Sequence, residues 1–426
     1  MSARRPLLAA SLTAGLLVVL TTPLAASAGE EQDGPVAQVV ACSATVGEEQ
    51  VFVNQEQSRP LEQMRIGEAQ EVATGDGVTV AVIDAAIPPV TPVPLGERLD
   101  LQDGEITVEH GSVVAGLIAG APRTGEDGTE LATGIAPDAT ILPVRVVGPI
   151  DPEEAGEVPE FETADVVAGL QWVADEADRL GIDVVNLSLN VEEDVPEMRD
   201  AVRAVQQAGV IVVAATANRD GEELPEAPTP APLEDGVYPA AYPGVVGVTT
   251  YVPLFDESGE PIVPESVIKG SRFIDVAAPT QFAISYGPNG SSCMVDAPAA
   301  SWATAYVSGV LALLEQAFPR ETPDELVARL VDTASGVPDQ RSTLSGAGVV
   351  QPLEALTREV DTDRKGRLQV PEQVDDSDGG RAAPPPVRTD ELAESRSDFR
   401  WWGLLAGAVL VGAVILRPLL RRIRRS

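Results

Sequence analysis

Six short stretches between residues 78 and 279 run apolar and mostly β-branched, with no regular polar alternation: VTVAVID (78–84), ILPVRVV (141–147), DVVNLSL (183–189), VIVVAAT (210–216), VVGVTTY (245–251) and FIDVAAP (273–279). A sheet with one wet face would alternate apolar and polar residues, whereas unbroken runs belong to parallel strands covered on both sides. Helical periodicity falls at roughly 110–120, 162–180, 195–208, 300–317 and 322–334. The chain therefore reads as α/β, a central, mostly parallel sheet with helices on both faces. Its 426 residues suffice for one core large enough for an enzyme.

The two ends set the expected compartment. Residues 1–28 carry Arg4 and Arg5, an apolar run and then Ala26-Ser27-Ala28, the pattern of a cleaved secretory signal peptide, with an uncleaved N-terminal anchor as the alternative. Residues 399–420 include an apolar run interrupted only by Arg417 and opened by Trp401-Trp402, and Arg421, Arg422, Arg424 and Arg425 follow it. About 20 residues of helix span a bilayer, and clustered arginines mark the cytoplasmic side. A buried core helix, the alternative, leaves the basic tail unexplained. The expected protein is a single-pass type I protein of the cell membrane, with its folded part outside the cell. Its segments are an N-terminal extension (29–70), a main domain (71–358), a polar linker (359–398), a transmembrane helix (399–420) and a basic cytoplasmic tail (421–426).

With 29 Lys and Arg against 66 Asp and Glu, the net charge of −37 excludes nucleic acid as a partner. Only two cysteines occur, Cys42 and Cys293, and no CxxC or His-rich cluster offers a metal site. In an oxidising compartment they pair as a disulfide; two free buried thiols are the alternative.

Four residues stand where an α/β fold places chemistry. Asp84 ends the first run, and His110, the chain's one histidine, opens the small-residue helix HGSVVAGLIAG. Asn218 closes VIVVAATAN, and Ser301 opens the apolar helix ASWATAYVSGVLALL. A helix N-terminus favours nearby negative charge, which suits a serine nucleophile, and an amide at a strand end is a donor for developing charge. Singly, each has an ordinary alternative: Asp84 capping a turn, a structural His110, Asn218 as a turn residue, Ser301 as a helix N-cap.

In this order and in these contexts the residues resemble the subtilisin-like serine proteases over about 70–335. VAVID is similar to the family's Asp strand, HGSVVAGLIAG to its His helix, VVNLSLN to the strand bordering the substrate cleft, VVAATAN to the strand ending in the oxyanion Asn, and AASWATAYVSG to the Ser helix. With the signal peptide, the Cys-bearing extension and the C-terminal span, the chain looks most like the mycosins, membrane-anchored subtilases associated with type VII secretion.

The resemblance implies a membrane-anchored serine endopeptidase acting on polypeptides, with Asp84, His110 and Ser301 as the catalytic triad. Asn218 and the Ser301 N–H would hold the oxyanion, and Ser188, Leu189 and Asn190 would bind the extended substrate as an added strand. No cofactor is implied; structural calcium, bound by many subtilases, has no nameable ligand set here. The type VII secretion machinery is an implied partner.

Departures bear on activity. Ala299-Ala300 replaces Gly-Thr before the serine, Ala305 a common Pro, and AAIPP the usual Thr-Gly after Asp84. Ala217 and Asn190 replace glycines around the primary pocket, which favours a small substrate residue. Two functions are therefore expected: a narrowly specific endopeptidase, or a weak or silent subtilase domain serving as a structural part of a secretion complex. A non-protease α/β hydrolase lacks support, since there is no G-x-S-x-G elbow.

Overall fold

The computed structural model describes residues 42, 57–125, 128–149, 161–219, 236–253, 263–295, 297–337 and 340–359. All lie in the first of two units of the chain, Met1–Leu368. The expected signal peptide, most of the extension, nearly all of the linker, and the membrane span and tail lie outside the described residues. Among the described residues no helix is long and apolar enough to cross a membrane.

In chain order the elements are α1 (Arg59–Gln63), α2 (Ile66–Gln70), β1 (Thr79–Asp84), β2 (Leu99–Asp100), α3 (His110–Ala119), β3 (Arg123–Thr124), β4 (Glu130–Leu131), β5 (Thr140–Arg145), α4 (Thr163–Leu180), β6 (Ile182–Leu187) and α5 (Pro196–Gln207). There follow β7 (Ile211–Ala215), β8 (Val246–Tyr251), β9 (Val276–Pro279), β10 (Ala283–Tyr286), β11 (Ser292–Val295), α6 (Ala300–Ala317), α7 (Pro323–Asp332) and α8 (Pro352–Thr357). Seven strands form a sheet in the order β2-β5-β1-β6-β7-β8-β9. Every pairing in it is parallel.

Successive side chains of β1 feed two separate cores, which is why its run is unbroken. Val80 and Val82 face the core shared with α3 and α6, while Ala81 and Ile83 face that of α4 and α5, and all four are 0% exposed. The same division separates Val184 from Val185 in β6 and Val213 from Val212 in β7. Helix α6 is buried for most of its length, from Ala303 to Leu314. Gly181 stops α4 in the left-handed region, at φ 60°, and a Thr322–Glu325 capping box starts α7.

Two features extend the expected organisation. Part of the segment read as an extension is core, since α1, α2 and the turn between them bury Leu61, Met64, Ile66 and Ala69 at 2% exposure or less in the same apolar cluster as α3 and α6. The antiparallel pair β10–β11 carries Cys293, which is bonded to Cys42 with a Cα–Cα distance of 5.1 Å. The Cys42 N–H also donates to the Met294 carbonyl at 2.8 Å.

Because Leu61 is enclosed, Leu61→Ala is expected to cost about 2–5 kcal/mol. Denaturant unfolding checks this; a loss no larger than that of an exposed substitution would mean that α1 is not part of the core.

Candidate active site

Asp84 is the last residue of β1 and 3% exposed. Its Oδ1 accepts the Ala85 N–H at 2.6 Å, so it does cap the turn that follows, but both carboxylate oxygens also meet His110 Nδ1, at 2.8 and 3.0 Å. A carboxylate only accepts, so Nδ1 carries the proton and the neutral ring presents Nε2 as an acceptor.

The close approach depends on Gly111. A Cβ there would lie 2.2 Å from the Ala85 carbonyl oxygen, so the first turn of α3 rests directly on the backbone leaving β1. Burial of His110 works against its charged form, but the charge of Asp84 and its hydrogen bond together outweigh that and hold the imidazole pKa above its ordinary value. Glu109, the residue before it, is half-buried, and burial pushes its carboxyl up to about 7.

Ser301 is the second residue of α6, not its N-cap; that place belongs to Ala299. Ala299 has φ −147° and ψ 151°, ordinary extended backbone that any residue adopts, so the chain path makes no demand for glycine there. The turn before Ser301 is fixed from outside the helix. The Ala300 N–H donates to Asn218 Oδ1 at 2.8 Å and the Ala299 N–H to Thr280 Oγ1 at 3.3 Å, while Thr280 is itself 2.7 Å from Thr250 Oγ1. A backbone nitrogen can only donate, which fixes Oδ1 as the Asn218 atom facing Ala300 and leaves its NH2 to donate elsewhere. The Ser301 N–H, in the first turn, has no acceptor within its own helix.

A buried polar chain ties α6 to β6. Thr304 Oγ1 donates to the Ala300 carbonyl, Ser308 Oγ to the Thr304 carbonyl, and Asn186 Nδ2 to Ser308 Oγ at 3.0 Å. Ser188 Oγ lies 3.0 Å from Asn186 Oδ1 and 2.9 Å from the Ser301 carbonyl oxygen, two acceptors for its one proton. The side chains of Ser188 and Leu189 are thus turned inward, at 6% and 8% exposure, which leaves backbone as the group they can offer an extended peptide. Asn190 is half-buried. The rings of Trp302 and His110 lie 4.7 Å apart, which sets the start of α6 beside the start of α3.

A carboxylate-held imidazole thus stands beside the first turn of an 18-residue helix, and that turn carries a serine. Among the described residues no group of three or more His, Cys, Asp or Glu is placed to hold a metal ion.

The profile of the subtilase family matches residues 75–349. The chain belongs to the subtilase family. It is 31% identical to Mycosin-1 of Mycobacterium tuberculosis over 353 residues, covering 76% of each chain. Among solved structures, MycP1 from the ESX-1 type VII secretion system superposes with a TM-score of 0.57 at 28% identity, over 76% of this chain and 92% of that one. A structure of the serine protease MycP1, described as an essential component of the type VII (ESX-1) secretion system, gives 0.54 at 28% identity, over 75% and 93%. As a subtilase with mycosin relatives, the chain is a serine endopeptidase by class.

Of the residues singled out in the sequence, this subtilase brings Asp84 and His110 into direct contact and joins Asn218 to the turn of Ser301 through Ala300. Trp302, Asn186 and Thr280 were not among them. The one signal for Trp302 was an aromatic residue directly after the serine; Asn186 and Thr280 sit inside or just beyond apolar runs, where a buried amide and hydroxyl need partners.

Because only glycine fits against Ala85, Gly111→Ala is expected to displace the start of α3, costing about 1–3 kcal/mol. With Asp84 withdrawn, the His110 pKa should fall. Thermal unfolding and an NMR titration of the single histidine check both, and an unchanged pKa would remove Gly111 from this role.

Proposed function

We propose that this subtilase is an active, narrowly specific endopeptidase with Asp84, His110 and Ser301 as its triad. The observation that carries the reading is the two-oxygen grip of Asp84 on His110 Nδ1 beside the start of the Ser301 helix. Ser301 Oγ would attack the peptide carbonyl carbon as its proton passes to His110 Nε2, and Asp84 would stabilise the imidazolium. The Asn218 NH2 and the Ser301 N–H would receive the oxyanion. His110 then gives its proton to the leaving amine, and water hydrolyses the acyl-enzyme by the same steps in reverse. The mechanism needs no metal or cofactor. An extended polypeptide would lie along residues 188–190, with Ala217 and Asn190 keeping the primary pocket small.

Similarity to the mycosins supports a link to type VII secretion, and the apolar run within 399–420 supports attachment to the cell membrane with the peptidase domain outside. A second reading, a weak or silent domain serving as a structural component of the secretion complex, is favoured by the Ala299-Ala300 replacement and by the essential-component role given to MycP1.

The full chain treated with a fluorophosphonate is expected to gain one covalent adduct, lost in Ser301→Ala. Asn218→Ala should reduce kcat about a hundred- to a thousandfold, the loss measured for the equivalent donor of a subtilisin. Since the base works only when neutral, labelling should decline as pH falls through the raised His110 pKa. A folded chain that takes no label at any pH would leave the structural-component reading.

A further inference from the structure

We propose that Trp302 is a positioning residue for this reaction: its indole fixes the orientation of the His110 ring and favours that ring when it is charged. The catalytic half of the proposal rests on the protease reading above; the effect on His110 itself does not.

Asp84 grips His110 along one edge only, through Nδ1. Such a grip leaves the ring able to swing about its contact with the carboxylate, which would carry Nε2 away from Ser301. The indole meets the imidazole at a centroid distance of 4.7 Å with planes inclined by 34°, within the range of an offset ring contact. It thereby closes the swing that the hydrogen bond leaves open. The His110 side chain is 28% exposed, so the contact is partly shielded from water, and an indole face attracts a cation. The ring thus gains something on protonation beyond what Asp84 supplies.

Trp302 is a firm platform because of where it sits. It shares the first turn of α6 with Ser301, and that turn is held by Asn218, Thr280 and Ser188. The backbone that carries the indole is therefore fixed together with that of the serine, and the ring is half-buried against the core. One residue therefore keys the histidine of α3 to the serine of α6, and the two helices need not touch at the reacting atoms to stay in register. Among the described residues the charged group in contact with the imidazole is Asp84 from β1; Glu109 precedes His110 in the chain, and burial pushes its carboxyl up to about 7.

The chain has a single histidine, so 13C-labelling at histidine Cε1 of the full chain gives one resonance whose titration is that of His110. Trp302→Leu is expected to lower the His110 pKa by about half a unit to one unit, the size of a partly shielded cation–π contact. Trp302→Phe, which keeps an aromatic face, should restore most of it. The titrations are repeated in a Glu109→Gln background, so that a neighbouring carboxyl titrating in the same range cannot mimic the shift. In parallel, fluorophosphonate labelling should slow several-fold in the Leu variant and recover in the Phe variant. A Leu variant that titrates with the wild type, or one that labels at the wild-type rate, would overturn the proposal. Should the Leu variant not fold, Trp302→Met, which also removes the aromatic face, takes its place under the same two criteria. Absence of labelling in the wild type would sink the protease reading by itself, and the titration would still decide the ring contact.

Discussion

A sheet buried on both faces has only its two ends open, and everything else in this domain follows from that restriction. The side faces of β1, β6 and β7 are occupied by packing: α3 and α6 cover one and α4 and α5 the other. Polar groups can then be presented only where the strands stop. Asp84, Ser188 and Asn218 lie at or just beyond the carboxyl ends of three consecutive strands, β1, β6 and β7, next to the point where the strand order reverses about β1. The helices that complete the site, α3 and α6, both begin at that end. Convergence of residues far apart in the chain is thus a consequence of parallel topology and requires no special loop.

The second requirement is that the start of an almost wholly apolar helix be held without being polar itself. Helix α6 has no side-chain cap of its own. Its first N–H groups are satisfied by side chains from the β7 end and from beyond β9, and its buried hydroxyls, Thr304 and Ser308, lead to Asn186 in β6. Buried polar chains of this kind are stable only when each member is satisfied. The same arrangement explains how Ala299-Ala300 is absorbed: Ala299 sits in ordinary extended backbone, and the fully buried Ala300 brings no hydroxyl that would need a partner in the core.

The architecture was legible because both-face burial writes itself into sequence as unbroken apolar runs; five of the six runs became strands whose ends fall within two residues of the run's own, and α6 spans the expected 300–317. FIDVAAP shortened to Val276–Pro279, with Ile274 packing instead into a small separate cluster and Asp275 bonding to Gly247 and Arg341. Helices α1 and α2, five residues each, are too short to show a period, and their helical state comes from docking Leu61 and Ile66 into the core. Asp84 and His110 could be singled out because strand ends and helix starts are visible in sequence. That Asn218 caps α6, that Ser188 faces inward and that Trp302 lies on His110 depend on contacts between segments about 80 to 190 residues apart, which no local pattern encodes.

The bond between Cys42 and Cys293 closes a loop of 251 residues that encloses the whole parallel sheet. Chain continuity and molecular integrity are therefore different things in this protein. A single cut between Cys42 and the first helix would divide the polypeptide yet release nothing, because the leading piece would stay covalently attached through the β10–β11 hairpin until the bridge was reduced. A cut at such a site would leave the migration of the oxidised protein on a denaturing gel nearly unchanged, and would show as two fragments only under reducing conditions.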